Sequence, residues 1–272
     1  MRRNLESIMV IAEGSLRASD LAEQDLWFVE PTWTAGQALE QMDREKIDIA
    51  PIREEPVQRY VVRDSLRDIP DQGPVTVAAH AVDVVHLVTG NLGLAEALDL
   101  LLERRFLFTI EGGRISGIIT PSDIQRVPVS MVVFSLILAT EAGLNELIVA
   151  SYGSEAAWMA RLSGPRLNEI EGRFNDRQGR NAETSRLDLL MLEDRLTLVS
   201  KSAPLWQALD FKSRRRFDAW AGLLKRTRDA LAHGRTVLDV EQDPAEALHL
   251  IRRVREFAKQ VWKAVSEVAP LD

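Results

Sequence analysis

The sequence predicts an α+β module over residues 1–127 followed by an all-α antiparallel helical bundle over residues 128–272. Three observations predict it. Short β-branched runs alternate with helical patterns in the first part and almost vanish in the second, where long amphipathic stretches take over. Charge divides the same way: residues 1–127 hold 13 Lys/Arg against 21 Asp/Glu, a net of −8, whereas residues 128–272 hold 21 against 20, a net of +1. The first part also carries a weak internal repeat of about 55 residues.

One copy of the repeat runs from Trp33 through the helical pattern 35–42, then Ile47–Ile52, then Tyr60–Leu66. The other runs from Thr89 through Gly93–Leu98, then Phe106–Ile110, then Gly117–Ile124. Each copy reads as a helix, a short strand, a turn, a second strand and the start of a helix. Val75–Ala78 is a further β-branched run and is expected to be a strand. Between Ile110 and Ile115 the sequence Glu111-Gly112-Gly113-Arg114 predicts a tight hairpin, because paired glycines supply the positive φ angles such a turn demands.

Five helices are expected after Pro128. They cover about 129–150, 154–178 with a break at Ser163-Gly164-Pro165, 185–201, 211–233 and from Asp243-Pro244 to about Glu267. In the third, Leu187, Leu190, Met191, Asp194 and Leu198 share one side. The fourth stops at Gly234, a residue suited to a helix C-cap, and the last opens with a cap followed by proline.

Gly117-Ile-Ile-Thr-Pro-Ser-Asp123 closes the second copy, and together with the repeat it resembles a tandem pair of cystathionine β-synthase (CBS) domains over residues 18–127. That resemblance implies a regulatory module taking an adenine nucleotide or a related alarmone. Thr120 would contact phosphate and Asp123 the ribose hydroxyls. The chemistry suits them: a carboxylate accepts two hydroxyl bonds, and a hydroxyl beside a helix start suits an anion. The first copy has Val62 and Ser65 at the matching positions, so one nucleotide site is implied rather than two. The alternative role for Thr120 or Ser122 is a helix cap.

The fourth predicted helix is basic. Between Lys212 and Arg235 it holds eight Lys/Arg and two acids, and Arg214, Arg215, Arg216, Lys225 and Arg226 are the candidate RNA-contacting residues. A solvated helix face has the same composition. Arg228-Asp-Ala-Leu-Ala-His233, followed by Gly234, resembles the Arg-x4-His motif of HEPN-domain ribonucleases, themselves helical bundles. The resemblance implies a metal-independent endoribonuclease of toxin or stress-defence type, with Arg228, Asp229 and His233 catalytic at a homodimer cleft. On an ideal helix Asp229 and His233 share a face, whereas Arg228 projects about 140° away from His233. The simpler alternative is a local Asp229–His233 pair closing the helix.

Several classes are set aside. The 272 residues contain no cysteine, so no disulfide, thiolate metal site or cysteine nucleophile is expected. The four histidines show no metal-site spacing, which leaves no metal expected; His80, His86 and His249 have weaker claims to function than His233. A net charge of −7 disfavours non-specific coating of nucleic acid. The apolar run Met131–Ala139 is short for a membrane span, so a cytoplasmic chain with no membrane partner is expected. The reading that competes with a nucleotide-gated ribonuclease is a non-catalytic nucleotide sensor or scaffold that dimerises and docks RNA or a partner protein.

Overall fold

The computed structural model describes residues 10–11, 14–179 and 184–268. The chain divides into two compact units, Leu16–Asp123 and the chain from Ile124 onward with the described residues before Leu16.

The first unit holds two three-stranded sheets. Its elements are α1 (Ala18–Leu21), α2 (Ala35–Glu45), β1 (Ile49–Pro51), β2 (Arg59–Val62), α3 (Arg63–Leu66), β3 (His80–Ala81), β4 (Leu87–Thr89), α4 (Leu94–Leu101), β5 (Leu107–Glu111) and β6 (Arg114–Ile119). The repeat is visible in the pairing. In the first copy Val29 bridges Ile52 in parallel and β1 pairs antiparallel with β2; in the second, β4 runs parallel to β5 and β5 pairs antiparallel with β6. Thr34 starts α2 with a reciprocal cap: its Oγ1 accepts the Gln37 amide at 3.2 Å and its own amide donates to Gln37 Oε1 at 3.0 Å. The hairpin forms at 111–114, with Gly112 at φ 57° and Gly113 at φ 79°.

Val75–Ala78 is not a strand but a 3₁₀ turn after Pro74. Four β-branched and small residues do not by themselves distinguish a strand from a turn, and here Val75 and Ala78 are buried three residues apart on one side. This segment closes the first copy: the Val75 amide donates to Trp33 O, and the Ala35 amide to Gly73 O. Residues 17–23 do the same for the second copy, since the Ala18 amide donates to Leu92 O while Glu23 and Ile118 exchange backbone bonds. Gly117 permits that exchange; a Cβ there would stand 2.9 Å from Glu23 O.

The second unit contains α5 (Val127–Tyr152), α6 (Glu155–Met159), α7 (Gly164–Gln178), α8 (Leu192–Ser200), α9 (Ala203–Ala208), α10 (Arg214–Ala232) and α11 (Pro244–Val268). α11 packs along α5, and α8 lies against both α5 and α10. Gly143 lets α11 approach α5, because a Cβ there would meet Val261 Cγ1 at 2.6 Å. Asp243 caps α11, its Oδ1 accepting the Ala245 and Glu246 amides.

Several helix limits differ from the sequence expectation. The third predicted helix begins at Leu192, not 185, because Leu190 and Met191 are extended and the Asp194 carboxylate accepts the Met191 amide at 2.7 Å. The fourth begins at Arg214, where Ser213 Oγ accepts the Arg216 amide. α9 was not expected. α5 is 26 residues long and meets the length and composition test for a membrane-crossing helix, unlike the shorter run expected from sequence. Half of its most apolar window is buried within the protein, with Leu136, Ile137, Leu144 and Leu147 in the core.

Candidate functional site

The polar centre of the helical unit is built on α5, a mostly apolar helix that carries Glu141 and Asn145 four residues apart and therefore on one face. Arg195 of α8, 5% exposed, reaches both. Its Nε donates to Asn145 Oδ1 at 2.7 Å, its Nη1 donates to Glu141 Oε2 at 3.1 Å, and the same Nη1 donates to the Leu190 carbonyl. The neighbouring Asp194 accepts a forked pair from Arg166 Nε and Nη2, which locks the start of α8 against α7. Burial outweighs the ion pair in setting both ionisations: it pushes the Glu141 carboxyl up, with Arg195 and Arg228 opposing, and it pulls the Arg195 guanidinium down.

Arg228 of α10 is brought to this centre. Its Nε stands 4.0 Å from Glu141 Oε1, is buried, and makes no hydrogen bond among the described residues. Its Nη1 donates to Asp229 Oδ1 at 3.2 Å. The Asp229 carboxylate therefore engages Arg228, and the local Asp229–His233 pairing is not formed: among the described residues the exposed His233 ring makes no hydrogen bond or ion pair. α10 ends at Ala232. His233 caps it at φ −100°, ψ 18°, its amide donating to Asp229 O and Ala230 O, and Gly234 turns the chain at φ 72°. Arg228 thus points to α5, while His233 sits at the open end of the helix.

The basic run splits between two faces. Arg214 Nε donates to Ser200 Oγ and lies 3.5 Å from Asp218, and Lys225 Nζ donates to Glu193 Oε2 at 2.6 Å, so both are drawn towards α8. Arg215, Arg216 and Arg226 are exposed, and among the described residues they make no ion pair.

In the first unit the structure brings Thr120 and Asp123 into direct contact. The Thr120 amide and hydroxyl both donate to Asp123 Oδ2, at 2.7 and 2.9 Å, and the Asp123 amide donates back to Thr120 O. Asp123 is 8% exposed, while Ser122 Oγ lies 2.7 Å from Thr120 Oγ1. The capping group is the Asp123 carboxylate, which accepts the Thr120 amide, whereas the Thr120 hydroxyl donates and accepts no backbone amide. At the equivalent place in the first copy, Ser65 Oγ is 3.4 Å from His80 Nε2. Among the described residues, no group of three or more His, Asp or Glu is placed to hold a metal ion.

Sequence reasoning missed Glu141 and Arg195. Their partnership spans 54 positions, and the one local signal was a pair of polar residues four apart on a mostly apolar helix.

No family model and no curated protein matches the chain. Solved structures do. A CBS-pair protein, CBSX2, of Arabidopsis thaliana is 19% identical, covering 40% of this chain and 90% of that one with a TM-score of 0.35. A further structure of CBSX2, in complex with AMP, aligns with a TM-score of 0.34 over 40% of this chain and 92% of that one, at 19% identity. A CBS domain pair/ACT domain protein of Thermotoga maritima is 20% identical, with a TM-score of 0.34 over 40% of this chain and 92% of that one.

Proposed function

We propose that the chain is a nucleotide-regulated, metal-independent endoribonuclease whose helical unit cuts RNA at a homodimer cleft and whose N-terminal unit is a CBS-type sensor. The observation that carries the reading is the pair at the end of α10. Arg228 is steered by Glu141 and Asp229 and keeps a buried N–H without an acceptor among the described residues, and the exposed His233 follows five residues later.

In this mechanism His233 takes the proton from the ribose 2′-hydroxyl or returns one to the departing 5′-oxygen. The 2′-oxygen attacks phosphorus and the 5′-oxygen leaves, giving a 2′,3′-cyclic phosphate and a 5′-hydroxyl. Arg228 meets the charge that builds on the phosphoryl oxygens, for which a planar guanidinium is suited. Asp229 and Glu141 orient Arg228. Its direction away from His233 is resolved by a second subunit, which places one subunit's arginine near the other's histidine. The exposed apolar residues Val127, Met131 and Leu138, on one stripe of α5, support self-association.

The sensor reading rests on Thr120 and Asp123, two groups of the right chemistry held 2.9 Å apart at a strand end. An adenine nucleotide acts through this site only if it binds two states of the dimer with different affinity. The bonds that Asp123 accepts from the Thr120 amide and hydroxyl favour a second reading, in which this corner is structural and the chain is a scaffold.

The test is cleavage of labelled single-stranded RNA in EDTA by the native chain and by His233→Ala, with and without ATP, ADP and AMP. Cleavage by the native chain alone, altered by one nucleotide, is the expected result. Inert chains on all RNAs sink catalysis and leave the scaffold.

A further inference from the structure

We infer that the groove between α10 and α11 is the track for the phosphodiester backbone of single-stranded RNA, separate from the Arg228–His233 end; this rests on the proposed RNA substrate. The groove has a volume of about 580 Å³ and is walled by Lys212, Arg216, Arg226 and Arg253. Lys212, Arg216, Ala219, Leu223 and Arg226 recur at spacings of four and three residues, which places them on one stripe of α10 and the chain leading into it.

Charge pairing separates this stripe from the side of the helix that faces α8. Arg214 and Lys225 face α8 and are met by Asp218 and Glu193. Among the described residues no carboxylate lies within ion-pair distance of Lys212, Arg216 or Arg226. Two acids, Asp210 and Glu241, also line the groove, which leaves the four cations in excess.

The floor is apolar and built. The Arg253 guanidinium lies 4.5 Å over the Trp220 ring, which stacks edge-on against Phe257. A guanidinium drawn over an indole by its charge retains N–H donors for an oxyanion. Trp220 is 2% exposed, and its Nε1–H has no acceptor among the described residues. Arg216 and Arg226 lie about 15 Å apart along the helix axis. One phosphate cannot touch both, whereas a run of phosphodiesters can, and this length argues for a polynucleotide chain over a free phosphate.

The test is fluorescence anisotropy with a labelled single-stranded RNA in EDTA, on the full chain carrying His233→Ala so that binding is read without cleavage. Arg216→Gln with Arg226→Gln should weaken binding at least tenfold and flatten the salt dependence by about 1.4 in log–log slope, about 0.7 per lost phosphate contact. The charge-matched pair Arg161→Gln with Arg177→Gln, outside the groove, should stay within twofold. Arg253→Gln alone should weaken binding as well, and melting curves check that every variant folds. Oligonucleotides should displace the probe, and inorganic phosphate at equal phosphate concentration should not.

Equal losses from both pairs, an unchanged salt slope, displacement by inorganic phosphate or no RNA binding at all would each overturn the groove. The two proposals fail separately. RNA bound through the groove by a native chain that never cuts leaves the groove standing and removes the ribonuclease. Cleavage with an unchanged KM in Arg216→Gln/Arg226→Gln removes the groove alone.

Discussion

Glu141 Oε1 stands 4.0 Å from Arg228 Nε, and the other oxygen of the same carboxylate accepts from Arg195 Nη1 at 3.1 Å. One half-buried acid thus serves two arginines from two different helices. Burial lifts the Glu141 carboxyl above its ordinary range despite both cations. In the pH window from the unfolded value of about 4.3 up to the raised folded value, the folded chain binds more protons than the unfolded one. The stability contributed by this group is therefore complete below that window and falls as pH rises through it.

Glu141→Gln resembles the protonated acid, so it is expected to match or exceed the native chain in stability at pH 7, with the difference disappearing below about pH 4. Denaturant melts of both chains across that range check it. A marked loss of stability in Glu141→Gln at pH 7 would show that the ion pairs dominate instead. The same variant is expected to cut RNA about tenfold more slowly, a barrier change of about 1.4 kcal/mol, with KM little changed. That split marks Glu141 as a positioning residue for Arg228.

Gly143 of α5 packs directly against α11, with Val261 Cγ1 2.6 Å and Trp262 Cε2 3.1 Å from the place a Cβ would occupy. Both neighbours are on a packed helix face and have little room to move. Gly143→Ala is expected to cost about 1–3 kcal/mol through overpacking, offset in part by the better helix propensity of alanine. Chemical denaturation measures it, and an unchanged midpoint would mean the two helices separate freely.

At Thr120 and Asp123 the structural and ligand roles are separable. Asp123→Ala removes an acceptor for a backbone amide and a hydroxyl, and is expected to cost about 1–2 kcal/mol. Thr120→Val keeps the shape and the amide bond but loses the hydroxyl. A nucleotide that raises the melting temperature of the native chain should raise that of Thr120→Val less and that of Asp123→Ala not at all. Equal shifts in all three would place the nucleotide elsewhere.

The features legible in sequence are those whose cause is local. The 111–114 hairpin follows from two adjacent glycines, and both adopt positive φ. The end of α10 follows from Gly234, and the start of α11 from Asp243-Pro244. Where the cause is distant, sequence reasoning falls short. Val75–Ala78 is a turn whose first amide bonds to Trp33, and the side-chain acceptors of Arg195, Asn145 and Glu141, lie 50 and 54 positions away. The basic run read as one surface; carboxylates on α8 and α10 divide it in two. Thr120 and Asp123 were found by their spacing, but that they bond to each other required coordinates.

The most direct test of the ribonuclease reading is the chemistry of the cut ends. RNA is incubated in EDTA with the native chain, with Arg228→Lys and with His233→Ala, and the fragments are identified by mass, alongside a substrate blocked by 2′-O-methyl groups. The expected result is 2′,3′-cyclic phosphate and 5′-hydroxyl ends from the native chain, a loss of at least 100-fold in both variants, and no cleavage of the blocked strand. Fragments with 5′-phosphate ends, cleavage of the blocked strand, or undiminished cutting by His233→Ala would contradict it.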